Sequence, residues 1–236
     1  MTTQGRSARM ERAYDRMEAE FGGSTDVATF TAAGVYDKVG LLVILALLTG
    51  AVGYATDSAA LAIGGIIAGL VFSLIGLFKP GTAKIMAPLY AVAEGLALGA
   101  ITAAYATDSK GIAPLAIIFT GGIFLGALIV FRSGLVKVTQ KFISMVLMAS
   151  VGFILVLLGG ALGLFPGLSS QTGLLVIGII GVVIGVAYLF VDFHYIEVFQ
   201  ERQAPVEAEW YGALLLMVSL VMVYLNVLRI LASRRR

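Results

Sequence analysis

The sequence predicts an all-α fold, a polytopic membrane helical bundle with seven transmembrane helices. Three observations predict it. Of 236 residues, 59% are hydrophobic and only 13% charged, against about 25% charged in soluble domains. The mean hydropathy is +0.99. The apolar residues also fall into seven long blocks, most with the ~20 residues that a hydrocarbon core about 30 Å thick requires. The blocks are apolar all round, whereas barrel strands would alternate apolar and polar positions.

The first block, Val39–Ala55, is short and fills a span if it extends toward Tyr36. It stops at Thr56-Asp57-Ser58, residues that favour turns. Ala59–Phe78 follows, closed by Lys79-Pro80-Gly81. Ala87–Tyr105 ends at the polar run Thr107-Asp108-Ser109-Lys110. Gly111–Phe131 ends at the basic stretch Arg132–Lys141. Phe142–Phe165 is closed by Pro166-Gly167, and Thr172–Val191 by the longest connection, Asp192–Trp210. Tyr211–Ala232 is last, before Arg234-Arg235-Arg236. Five pairs have GxxxG spacing: Gly65/Gly69, Gly95/Gly99, Gly122/Gly126, Gly159/Gly163 and Gly181/Gly185. In lipid, small residues let helices approach closely. A tight bundle follows, with no room for a large cofactor.

The chain divides into an N-terminal tail, residues 1–35, and a transmembrane domain, residues 36–236. In the tail, Met10, Tyr14, Met17 and Phe21 recur at helical spacing. An amphipathic helix on the membrane surface and a loosely ordered tail both fit, and no cleavable signal peptide is apparent. Lys and Arg set orientation through short loops. Arg6, Arg9, Arg12, Arg16, Lys38, Lys79, Lys84, Arg132, Lys137 and Lys141 fall on one side, and among the alternate loops only Lys110 is basic. The N-terminus is therefore expected in the cytoplasm. The three terminal arginines disagree with this pattern, and seven full spans are favoured over a re-entrant last segment.

Cysteine is absent and His194 is the single histidine, which excludes disulfides, thiolate metal sites and HExxH zinc sites. No intramembrane protease pair, P-loop or nucleophile elbow is found, and the last span has no lysine to hold a retinal. A non-enzymatic protein is expected, with no cofactor and no nucleic-acid partner.

Charges within spans are costly and mark function by default. Glu94 lies well inside the third block, where a protonatable or cation-binding role competes with a neutral carboxyl bonded to a neighbouring helix. Asp192 closes the sixth block, with Tyr188 and Tyr195 at spacings that reach the same helix face. Glu209 immediately precedes the seventh, beside the interface anchors Trp210 and Tyr211. Glu197, Glu201 and Glu207 read mainly as a solvated acidic connection. Asn226 is placed to bond a neighbouring helix, and Arg229 to snorkel to the interface.

The stretch from Ala87 to Gly99 (APLYAVAEGLALG), the Asp192-Phe193 end of the sixth block and the closing Tyr224-Leu225-Asn226-Val227-Leu228-Arg229 together resemble the Bax inhibitor-one/YccA family, in its bacterial branch. The resemblance implies a fold with the last helix central and two groups of three helices around it. It implies a multi-pass protein of the bacterial inner membrane and a proton-sensitive calcium leak. In that family an aspartate ending span six pairs with one on the last span, and two carboxylates sharing a site titrate as a unit. Asp192 matches the first. Aligned on Arg229, the second position falls at about Val223, which cannot titrate, so the sequence departs from the pair.

The leading expectation is a pH-sensitive calcium leak channel, with Asp192 as the gating carboxylate, Glu94 a pathway or pairing group, and Glu94 or Glu209 a source of the second carboxylate. Calcium, as the transported ion, would meet the chain at Asp192 and Glu94. Tyr188, Tyr195, Asn226 and Arg229 are supporting positions. The alternatives are a membrane interaction protein that modulates a membrane protease or stress-response partner, and a proton-coupled transporter.

Overall fold

A computed structural model of the chain describes residues 29–106 and 111–233. The amphipathic segment expected over residues 7–21, the turn at 107–110 and the terminal arginines lie outside the described residues.

Among the described residues, seven long helices form the fold: α1 (Ala32–Thr56), α2 (Ala59–Phe78), α3 (Ala83–Ala106), α4 (Ile112–Arg132), α5 (Gln140–Ala161), α6 (Gln171–Glu201) and α7 (Ala208–Ser233). All seven are long and apolar enough to cross a membrane. The outer surface carries large apolar side chains such as Ile67, Phe78, Met148 and Ile154. This is a multi-pass membrane protein whose natural surroundings are a lipid bilayer.

Local chemistry sets the helix starts. Thr31, Ser58, Thr139 and Ser170 each accept a backbone N–H of the first turn of α1, α2, α5 and α6, as small polar N-caps do. The cap at Thr31 moves the start of α1 seven residues ahead of the first apolar block. The larger difference is at α6, which continues ten residues past Val191 to Glu201. Phe193, Ile196 and Phe199 recur at helical spacing and are all buried, so tertiary burial carries this helix through its charged residues. Asp192 is thus an interior residue of α6 and not its end.

Glycines decide which helices touch most closely. A Cβ on Gly99 would strike the backbone of Gly50 and Tyr54, and one on Gly95 would strike Ala46 and Thr49, so α3 runs parallel to α1 in close contact. Gly65 and Gly69 admit Ala93 and Glu94 of α3 onto α2. Gly181 and Gly185 admit Asn226 and Val223 of α7 onto α6. Two of the expected pairs behave differently. Gly122 and Gly126 meet nothing within 4 Å. Gly159 packs on Phe165 of its own following turn, and Gly163 sits at φ +77 in that turn.

α7 touches α1, α2, α3, α4 and α6 and is the central helix, as the family resemblance implied. Leu214, Leu216, Val223 and Leu228 on it are fully buried. Its first turn lies beside the start of α1, and its Tyr224 hydroxyl lies 2.8 Å from Thr102 near the end of α3. Ser233 therefore stands at the opposite end of the bundle from Thr31, the arrangement expected of seven full crossings.

Candidate functional site

The site grows from the hairpin of α6 and α7, whose turn centres on Ala204 and Pro205. Asp192 is 4% exposed and Ser219, across the hairpin, is also 4% exposed. The Ser219 hydroxyl donates to Asp192 Oδ2 at 2.5 Å. Val223, the position expected to face Asp192, lies one turn further along α7 and packs on Gly185. The residue across from Asp192 is thus a hydroxyl donor, and the correction shifts the pairing by one helical turn.

Aromatic side chains fill the space between Asp192 and the near end of the hairpin. Phe199 meets Phe30 edge-on at 5.8 Å between ring centroids. It also meets Tyr195 at 6.1 Å and Tyr211 at 6.2 Å. Tyr211 lies near Asp192. On the other flank, Phe193 packs against Phe124 and Phe131 of α4.

A short strap covers this plug. Thr29 bridges Pro205 in antiparallel fashion, and the Phe30 N–H donates to the Ala204 carbonyl at 2.8 Å. The Ala32 N–H donates to Gln200 Oε1 at 2.8 Å. Glu209, 3% exposed, fastens the strap. Its carboxylate accepts from the Thr31 N–H and the Thr31 hydroxyl, both at 2.9 Å, and from Lys38 Nζ at 2.5 Å. Lys38 also lies 5.5 Å from the centre of the Trp210 ring, within cation–π range. Gly34 leaves room for the carboxylate. Glu209 is therefore engaged with α1.

Glu94 sits elsewhere. It is 9% exposed, near the middle of α3, with its carboxylate over Gly69 of α2 and Tyr90 one turn earlier. It is one residue from the Gly95/Gly99 contact, but it faces a different neighbour. Glu94, Asp192 and Glu209 thus occupy three separate places, and neither glutamate is brought to Asp192 as its partner.

The supporting residues divide similarly. Tyr188 turns away from Asp192, and its hydroxyl lies 2.8 Å from Ser150 on α5. Tyr195 joins the aromatic plug. Asn226 packs on Gly181 but hydrogen-bonds within its own helix: it donates to the Met222 carbonyl at 2.7 Å and accepts from Arg229 at 2.8 Å. Sequence reasoning missed Ser219, Phe30, Thr31, Lys38 and Gln200. One signal was present for Ser219. Asp192 stands thirteen residues before Pro205 and Ser219 fourteen after it, which is the register of an antiparallel hairpin turning there.

Chemically, the hairpin presents one carboxyl and one hydroxyl in an apolar interior. These are fewer oxygen donors than the about 6–8 that calcium takes. Among the described residues, no three acidic or histidine side chains converge to hold a metal. The arrangement can hold a proton or attract a passing cation.

No curated protein matches the chain. A family model described as Bax inhibitor 1 like matches residues 3–236, nearly the full length. The chain belongs to the Bax inhibitor 1-like family.

Proposed function

We propose that this protein is a proton-modulated cation leak, with calcium as the transported ion, in the bacterial inner membrane. The observation that carries the reading is Asp192, held in the interior of the hairpin against Ser219 and behind an aromatic plug. A buried charge without a partner is costly. Ionised Asp192 would draw water and a cation into the hairpin, and protonated Asp192 would leave it dry. Family membership supports the class of activity. The role is non-enzymatic and uses no cofactor.

The strap end is assigned to the cytoplasm. Lys38, Lys79, Lys84, Arg132, Lys137, Lys141 and Arg202 stand toward it, while Arg229 is the one basic residue described toward the other end. A calcium ion reaching Asp192 would keep most of its hydration, since the site offers so few ligands. That favours passage over retention.

The test is calcium flux against pH in vesicles of purified protein with an enclosed dye. Wild-type flux should increase with pH as Asp192 ionises, and Asp192→Asn should give a flat profile. Equal profiles for the two proteins would remove Asp192 as the gate.

A further inference from the structure

A second feature lies on the far side of α7 from the Asp192 hairpin. A cleft of about 770 Å³ opens between α1 and α4, floored by α3 and α7. This is within the range of about 300–1,000 Å³ typical of small-molecule sites. It runs from Tyr36 to Tyr54 along α1, about 27 Å at 1.5 Å per residue. It is therefore long, and Val43, Leu98, Phe124 and Leu128 are typical of its apolar lining.

One atom in this lining is out of place. Thr120, 8% exposed, has a buried hydroxyl with no hydrogen-bond partner. Thr49, Ser73, Thr102 and Ser150, also inside helices, each bond a carbonyl three or four residues back. Thr120 makes no such bond and lies near the middle of α4, at the depth of the hydrocarbon core. Its unmet hydroxyl calls for a partner that enters the cleft.

Glycines on facing helices keep the cleft open. Gly40 on α1 and Gly121 on α4 both line it, and a Cβ on either would meet nothing within 4 Å. At the strap end, the Arg132 guanidinium lies against the Tyr36 hydroxyl and is also within reach of Glu197. Its charge is shared at that mouth, which does not favour a phosphate or carboxylate headgroup.

We propose that this cleft binds a neutral single-chain amphiphile from the bilayer, with its hydroxyl or carbonyl oxygen on Thr120 and its alkyl tail along the groove toward Tyr36. The length of the cleft selects a chain, its lining selects a lipophile, and Thr120 selects one oxygen at a fixed depth. The site is separate from Asp192 and does not depend on ion flux.

Photolabelling tests it. The full-length protein is placed in nanodiscs of phosphatidylethanolamine and phosphatidylglycerol with a diazirine-bearing hexadecanol, and labelled residues are mapped by mass spectrometry. Label should concentrate on Val43, Phe124 and Leu128 over Met148 and Ile154 of α5. Thr120→Val should lower cleft labelling about fivefold, the worth of one hydrogen bond. Gly121→Leu and Gly40→Leu, which fill the cleft from opposite walls, should each abolish it. Gly122→Leu, outside the lining, should leave it unchanged and so control for helix perturbation. The same diazirine on hexadecane, with no oxygen, should label the cleft weakly and not respond to Thr120→Val. Equal labelling by the two probes, or label spread evenly over α5, would mean that ordinary lipid fills the groove and would overturn the proposal.

Discussion

Replacing Glu209 by alanine removes the fastening of the strap. Three donors lose their acceptor: the Thr31 N–H, the Thr31 hydroxyl and Lys38. Hydrogen bonds to a charged group contribute about 1.5–3 kcal/mol each. The Lys38 side chain is 22% exposed and can turn to water, so its share is small, about 1 kcal/mol or less. The Thr31 N–H cannot move so freely, because Phe30 and Ala32 on either side are bonded to Ala204 and Gln200. A total near 3 kcal/mol follows. At about 2–4 °C per kcal/mol for a chain of this size, Glu209→Ala should lower the unfolding midpoint by about 6–12 °C. Lys38→Met should lower it far less, because both Thr31 bonds persist, and the double variant should be no worse than Glu209→Ala alone. Thermal unfolding of the detergent-solubilised protein, followed by the fluorescence of Trp210, is a suitable assay. Trp210 is the single tryptophan and lies against Lys38. A larger loss from Lys38→Met than from Glu209→Ala would refute the reasoning, since the ion pair and not the strap would then be the dominant bond.

Other expected outcomes follow from the same contacts. Gly99→Val should prevent stable folding, because its Cβ would strike the backbone of Gly50 and Tyr54, whereas Gly122→Ala should be neutral or stabilising by up to about 1 kcal/mol; expression and monodispersity in detergent separate the two. Phe30→Ala empties a buried site between the strap and Phe199, so it should lose about 3–5 kcal/mol and raise vesicle leak at every pH. Tyr188→Phe should cost about 1 kcal/mol through the lost bond to Ser150 and leave the pH profile of flux unchanged, because the ring points toward α5.

The helices were legible because length and apolarity are local properties, and each block carries its own signal. The central place of α7 was legible only through family resemblance, since nothing in its composition says how many neighbours it touches. The extension of α6 was missed because Asp192, His194, Glu197 and Glu201 look like a loop when read by polarity. Phe193, Ile196 and Phe199 make it a helix by being buried. The role of Glu209 was hidden for a different reason. Its partners Thr31 and Lys38 lie more than 170 residues away, and no periodicity reports such a contact. Glu94 shows the reverse. Its depth in α3 was readable, but its neighbour was not, because adjacent helix faces point to different partners within one residue of each other.

The central helix is also made after the other six. When α6 has been translated, α1 to α3 already have contacts with one another, and α4 to α6 can join through α6. The channel between the two groups is still vacant, and Thr31 still lacks Glu209. Only when the ribosome delivers residues 208–233 can the halves close on a common axis and the strap be tied. Assembly therefore waits on residues 208–233. A ribosome that stalls just short of them leaves six helices in the membrane around an unfilled core, a substrate suited to membrane quality control.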